Sequence, residues 1–266
     1  MTAIAVTIAG SDSGGGAGLQ ADLKTFSALG VYGASVVTAL TAQNTKGVSA
    51  IADLTADFIT AQIDAVFSDL DVQAVKIGML SKTGVIEAVA AGLDRYAITN
   101  TVLDPVMVAT SGDRLIDQSA VAHLQNYLFP RAILITPNLL EAAALTDEPV
   151  ATTPEHMLAQ GRRLLAQGAK AVLMKGGHGT SQDCTDLLIT PEGHEAFTSP
   201  RLPTHNTHGT GCTLSSAIAA GLAKGLPLPQ AVAAAKHYLT GALRAADHLH
   251  IGHGHGPVHH FFEHWT

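Results

Sequence analysis

The stretch Ile4-Ala5-Val6-Thr7-Ile8-Ala9-Gly10-Ser11-Asp12-Ser13-Gly14-Gly15-Gly16-Ala17-Gly18 decides the fold class. Six uncharged, mostly apolar residues run into a glycine-rich turn, and a segment of helical period follows. A continuously apolar strand is expected where both faces of a sheet are covered. The same alternation recurs along the chain. Strand-like runs lie at Ile4–Ala9, Ser35–Leu40, Ala74–Ile77, Thr101–Leu103, Ala132–Ile135 and Ala171–Met174. Helices are expected near 17–29, 57–69, 82–95, 117–127, 138–146, 154–167, 210–224 and 228–248. Thr185–Thr198, broken by Pro191-Glu192-Gly193, reads as a hairpin at a sheet edge. Strands alternating with helices predict an α/β fold, a doubly wound and mostly parallel sheet with right-handed crossovers. No linker or shift in composition divides the 266 residues, so a single domain spanning 1–266 is expected, with no internal repeat.

The composition narrows the function class. Of the residues, 47% are hydrophobic and 14% charged, and the formal net charge is −7. An acidic chain without a Lys/Arg run argues against a nucleic-acid partner. The two cysteines, Cys184 and Cys212, are far apart and form no disulfide framework, which points to a reducing, cytoplasmic setting. The N-terminus lacks the basic segment of a signal peptide, and no uncharged apolar run is long enough for a membrane span.

In a doubly wound sheet, ligands bind beyond the C-terminal ends of the strands. Here those ends carry the polar residues. They are the first glycine turn, then Gln43, Gly78-Met79, Asp104-Pro105-Val106, Asn138 with Glu141, and Lys175-Gly176-Gly177. One edge therefore collects two carboxylates, a lysine, an amide and glycine-rich turns. The first turn lacks the Lys-Ser/Thr of a P-loop. It also has Leu19 where a G-x-G-x-x-G fingerprint needs its third glycine. Neither a Walker-type NTPase nor a dinucleotide-binding dehydrogenase fits.

A second glycine turn, Asn206-Thr207-His208-Gly209-Thr210-Gly211-Cys212-Thr213-Leu214, leads into an Ala-rich helix. First-turn amides have no intrahelical partner, and the helix dipole favours anions there. Cys212 lies in that turn, where a thiol's pKa tends to fall. Phosphoryl transfer would use this inventory, because such enzymes act mainly by positioning and by neutralising charge. Asp104 and Glu141 would hold Mg²⁺ directly or through water. Lys175 would neutralise the terminal phosphates of a donor as a point charge. The amides of Gly209, Thr210, Gly211 and Cys212 would hold the moving phosphoryl group, with Asn138 on the nucleotide side. Cys212 would be the base that takes the acceptor hydroxyl's proton.

These motifs carry a resemblance across essentially the whole chain. They include Ala9-Gly10-Ser11-Asp12, Gln20-Ala21-Asp22, Ala42-Gln43-Asn44-Thr45, Lys76-Ile77-Gly78-Met79-Leu80 and Leu103-Asp104-Pro105-Val106-Met107. Thr136–Glu141, Met174-Lys175-Gly176-Gly177-His178, Gly209–Thr213 and Gly256-Pro257-Val258-His259-His260 complete the set. The chain resembles the ribokinase-like superfamily and, within it, the hydroxymethylpyrimidine/phosphomethylpyrimidine kinases of bacterial thiamine biosynthesis. The resemblance implies two successive ATP-dependent phosphorylations of a pyrimidine hydroxymethyl group. It implies that Gln43 pairs with the amino group and ring nitrogen, and that Gly10, Asp22, Met79 and Val106 line the acceptor pocket. It also implies a cytoplasmic homodimer without the large lid of the sugar kinases. Much of the superfamily carries Asp where this chain has Cys212.

Three rival readings follow from the same residues. A vitamin B6 kinase would accept pyridoxal, another flat ring with a hydroxymethyl group. A nucleotide-binding regulator would bind ATP without turnover. A metal-storage module would use the C-terminal His248, His250, His253, His255, His259, His260 and His264, whose spacing follows no ligand pattern. Cys184, beside the expected hairpin, reads as packing.

Overall fold

The computed structural model describes residues 2–107, 118–177 and 182–265. The chain begins with β1 (Ile4–Ala9), α1 (Gly18–Ala28) and β2 (Tyr32–Val37), then a hairpin of β3 (Ala39–Asn44) and β4 (Gly47–Asp53). Next come α2 (Ala56–Phe67), β5 (Ala74–Ile77), α3 (Thr83–Arg95), β6 (Thr101–Leu103) and α4 (Gln118–His123), which continues into a π-helical turn at Leu124–Leu128. β7 (Leu134–Ile135), α5 (Leu139–Thr146), α6 (Pro154–Ala166) and β8 (Val172–Met174) follow. The chain closes with β9 (Asp183–Thr190), β10 (Gly193–Pro200), α7 (Thr210–Ala223) and α8 (Leu228–Arg244).

One eight-stranded sheet runs in the order β10-β9-β8-β7-β6-β5-β1-β2. The segment from β2 to β8 is parallel, and β9 and β10 add an antiparallel edge. Consecutive strand residues face opposite layers. Val6, Val75, Leu103 and Ile135 pack with Ile59, Ile86, Leu145 and Leu164, whereas Ala5, Ala74, Val102 and Leu134 pack with Phe26, Ile218 and Val232. Both faces are thus covered, as the uninterrupted apolar runs require. The chain moves from β1 out to β2 and then back past β1 to β5. The crevice between the C-terminal ends of β1 and β5 is therefore a topological switch point, where a ligand binds in such folds.

Several expectations need correction. The run Ser35–Leu40 divides between β2 and β3, and Thr41-Ala42-Gln43-Asn44 is part of a separate two-stranded ladder instead of a loop. The expected helix 117–127 starts outside the described residues and ends in the π-helical turn. The last helix stops at Arg244, with a short 3-10 turn at Ala246–His248. His178 lies outside the described residues.

Candidate active site

A cavity of about 730 Å³ opens at the switch point. It is lined by Gly10, Gln43, Met79, Val106, Asp104, Asn138, Glu141, Lys175 and the turn Gly209–Cys212. Nearly every residue singled out from sequence therefore shares one cavity.

The exception is Asp22. It is fully buried beneath the cavity and does not line it. Its carboxylate accepts hydrogen bonds from Lys76 Nζ (2.8 and 2.9 Å), Thr7 Oγ1 (2.5 Å) and Ser216 Oγ (2.7 Å). With both oxygens so engaged, Asp22 anchors Lys76 instead of touching a ligand. Lys76 does reach the cavity wall. Burial alone would lower its pKa, but Asp22, Cys212 and Asp104 hold the ammonium above its ordinary range.

At the C-terminal ends of β6 to β8, Lys175 Nζ lies 2.8 Å from Asp104 Oδ1 and 3.8 Å from Glu141 Oε2. Asp104 also accepts from Thr136 Oγ1 (3.0 Å) and Ser215 Oγ (3.3 Å). Burial works to raise the Asp104 pKa, but Lys175 and Lys76 outweigh it and hold the group below the usual carboxylate range. Glu141 goes the other way. Burial pushes it up to about 7, with Lys175 opposing and Asp104 adding to the rise. Asn138 and Glu141 form a capping box at the start of α5. Asn138 Oδ1 accepts from the amides of Leu140 and Glu141 (both 2.9 Å), and Glu141 Oε2 accepts from the Asn138 amide (2.7 Å). The Asn138 carbonyl oxygen is thus committed to the helix, which leaves its amide nitrogen for the cavity.

The second glycine turn faces this cluster. A Cβ placed on Gly211 would lie 3.3 Å from Lys175 Nζ and 3.6 Å from Asp104 Oδ2. The Thr210 amide donates to Thr207 O at 3.3 Å, so Gly211 and Cys212 supply the amides that head α7. The expected fall in the Cys212 pKa is overturned. Burial pushes the thiol up to about 11, and Lys76, which favours the thiolate, is opposed by Asp22 and Asp104. A helix terminus favours an anion only weakly against desolvation by the surrounding protein and two nearby carboxylates.

Gln43 enters the cavity from the same face of β3 as Thr41, two residues earlier. The β3–β4 register shifts between Ala42 and Gln43. Ser13 Oγ accepts from the Gln43 amide (2.8 Å) and donates to its carbonyl (2.7 Å), while Thr41 Oγ1 lies 3.1 Å from Gln43 Oε1. At the far end of the cavity, Asp186 accepts from the Gly176 amide (2.8 Å) and pairs with Lys236 (2.7 Å). Cys184 lines that end, 3.5 Å from Lys236 Nζ, and so is not simply packing. Sequence reasoning missed Lys76, although a lone charge in a continuously buried strand signals a buried partner. It also left Asp12 and His208 unassigned. Among the described residues no group of three or more His, Cys, Asp or Glu side chains that could hold a metal ion is found.

Comparison with known proteins bears on this cavity. The family model described as phosphomethylpyrimidine kinase matches residues 12–259. The chain is 59% identical over 265 residues to the hydroxymethylpyrimidine/phosphomethylpyrimidine kinase of Rhizobium meliloti, covering 100% of this chain and 99% of that protein. It is 53% identical to the thiamine biosynthesis bifunctional protein ThiED of Geobacter sulfurreducens, over 96% of this chain and 51% of that protein. Among solved structures it resembles an ADP complex of Bacillus subtilis pyridoxal kinase, with a TM-score of 0.92, 34% identity and 100% coverage of both chains.

Proposed function

The chain belongs to the phosphomethylpyrimidine kinase family, and on that premise we infer that it phosphorylates 4-amino-5-hydroxymethyl-2-methylpyrimidine with ATP, then phosphorylates the monophosphate again, in thiamine biosynthesis. The observation that carries this reading is the convergence of Lys175, Asp104, Glu141 and the Gly209–Cys212 turn on the cavity that Gln43 enters from the other side.

Gly10, Met79 and Val106 form the walls for a flat ring, and Gln43 reads its edge, since a primary amide offers both donors and an acceptor. Lys175 neutralises phosphate charge. The amides of Gly211 and Cys212 hold the oxygens of the transferred group. Mg²⁺ needs oxygen ligands and keeps several waters, so two carboxylates grouped around Lys175 suit it. Asp104 and Glu141 would hold the ion, which when bound neutralises charge on the phosphates. Cys212 is a neutral thiol at pH 7, so its sulfur orients the acceptor hydroxyl as a hydrogen-bond acceptor. A loose phosphoryl-transfer transition state needs little prior deprotonation of the nucleophile, so the hydroxyl's proton would pass to an oxygen of the transferred phosphoryl group as the new O–P bond forms.

The 266 residues act as one kinase domain, in the cytoplasm, where both cysteines stay reduced. Among the described residues no helix is long and apolar enough to cross a membrane. A second copy of the chain is the partner proposed for the β3–β4 hairpin. Leu40 and Ile51 are exposed there, and a two-stranded ladder is marginal without cover. Ile51→Glu should then shift the sedimentation velocity toward a monomer.

Pyridoxal is the competing acceptor, suggested by the resemblance to the Bacillus subtilis kinase. The test is kcat/KM for both rings in wild type and Gln43→Leu. The pyrimidine should be preferred in the wild type, and the preference should shrink by roughly tenfold in the variant, at about 1–3 kcal/mol per unpaired buried group. A wild-type preference for pyridoxal would make the chain a vitamin B6 kinase. ATP binding without turnover on either ring would make it a binding module.

A further inference from the structure

Phosphoryl transfer requires the acceptor pocket and the phosphate-binding turn to be held in one register. The first is built on the turn after β1, the second on the turn before α7, and 196 residues separate the two anchoring side chains, Asp12 and His208. These side chains meet in the interior. His208 Nε2 lies 2.8 Å from Asp12 Oδ2, and both residues are buried at the cavity wall. A carboxylate only accepts, so the imidazole donates from Nε2. The same oxygen accepts from the amides of Gly16 (3.0 Å) and Ala17 (2.8 Å), and the other from Gly14 (2.8 Å). Asp12 is therefore the hub around which the first glycine turn folds, and its remaining bond goes to the residue next to Gly209.

The surrounding backbone leaves little slack. Gly209 has φ +80°, and a Cβ there would lie 1.9 Å from Gly16 O, so the two turns touch backbone to backbone. A Cβ on Gly16 would lie 2.5 Å from His208 Cδ2 and 3.2 Å from Pro257 Cβ. The His208 amide donates to Gly256 O at 3.0 Å. The ring is thus caged between Gly16 and the C-terminal segment.

We propose that Asp12 and His208 are positioning residues, a latch that fixes the amides of Gly211 and Cys212 against the acceptor pocket. The proposal rests on the kinase reading above. Neither residue needs to touch a ligand. The latch predicts a loss of turnover when it is broken, with each ligand still binding separately, because a misplacement of about 1 Å can cost on the order of 10²-fold in rate.

The test uses the full chain and three variants. His208→Leu removes the donor, Gly16→Ala pushes the ring away sterically, and His208→Gln supplies another donor of similar reach. Turnover is measured at saturating pyrimidine and Mg-ATP. Affinities for the pyrimidine alone and for a non-hydrolysable ATP analogue alone are measured by calorimetry. His208→Leu and Gly16→Ala should lower kcat roughly 10- to 100-fold, with each separate affinity changed less than about threefold, and His208→Gln should recover most of the turnover. An active wild type with kcat preserved within about threefold in His208→Leu overturns the latch. So does a loss of either separate affinity in proportion to kcat, which would make the pair part of a binding surface. If His208→Leu does not fold, the contrast between Gly16→Ala and His208→Gln decides in the same way. A wild type inactive on the pyrimidine would instead overturn the kinase reading itself.

Discussion

Cys212 should behave as a protonated thiol at the cavity wall, and its alkylation rate gives a direct measure. With a pKa of about 11, the thiolate is roughly one molecule in 10⁴ at pH 7, against about one in 30 for an exposed cysteine near 8.5. That is a deficit of about 300-fold. A more basic thiolate is also a better nucleophile, and a Brønsted slope of about 0.4–0.5 returns roughly 10- to 18-fold. Iodoacetamide should therefore modify Cys212 about 20-fold more slowly than a free thiol at pH 7. The rate should climb about tenfold per pH unit until the pH nears the pKa. The assay is mass-spectrometric counting of the adduct in a Cys184→Ser background, with turnover followed in parallel. Modification should abolish activity, and bound pyrimidine should protect. A rate that levels off below pH 8 would show a thiolate at neutral pH and restore Cys212 as a resting base. Cys212→Ala should lower kcat by up to about 10²-fold, because the acceptor hydroxyl loses the contact that orients it, while ATP binding is retained since the backbone anion site survives the change.

Gly209→Ala should nearly abolish turnover, because the new Cβ meets Gly16 O at 1.9 Å in a left-handed conformation, and an intact kcat would show that the two turns separate freely. Asp104→Asn and Glu141→Gln should each raise the Mg²⁺ concentration for half-maximal rate, and unchanged dependence in both would place the ion on the nucleotide alone. His260 is held neutral, with burial pushing its pKa down to about 3 and Lys24 and His259 adding to the fall. The unfolded chain then binds the extra proton between about pH 6.5 and pH 3, so stability falls as pH drops through that window, by up to about 1.4 kcal/mol per pH unit. Melting temperatures from pH 7 to 5 should decline less steeply in His260→Gln, and equal slopes would exclude His260 as the source.

Connectivity explains what could be read from the chain. β1, β5 and β6 begin and end where the apolar runs do, because a strand buried on both faces is mostly apolar until it leaves the sheet, and Thr7 and Lys76 inside those runs share a buried partner, Asp22. In a parallel sheet those exits share one edge, so Asp104, Glu141, Lys175 and the Gly209 turn had to lie near one another once the strands were recognised. The β3–β4 hairpin escaped for the complementary reason. β4 is largely exposed, so it imposes no alternation of apolar and polar residues, and its Thr45-Lys46 turn lacks the Asn-Gly type of signal.

Depth, by contrast, is a property of the folded interior and is not visible in a motif. Asp22 and Gln43 both lie in polar motifs near the same edge, yet one is sealed under the cavity by Lys76, Thr7 and Ser216 and the other shares the cavity face of β3 with Thr41. The same distinction governs Cys212. Its place in a first helical turn argued for a stabilised thiolate, but that influence is local and modest. The cost of burying a charge beside Asp22 and Asp104 is larger and of opposite sign, so the thiol keeps its proton. Lys76 offsets that cost only in part, because the carboxylate that fixes the ammonium beside the sulfur also opposes the thiolate. Replacing Asp22 with Asn should therefore move the alkylation profile of Cys212 to lower pH wherever the variant folds, and Lys76→Met in the same Asp22→Asn background should move it back up.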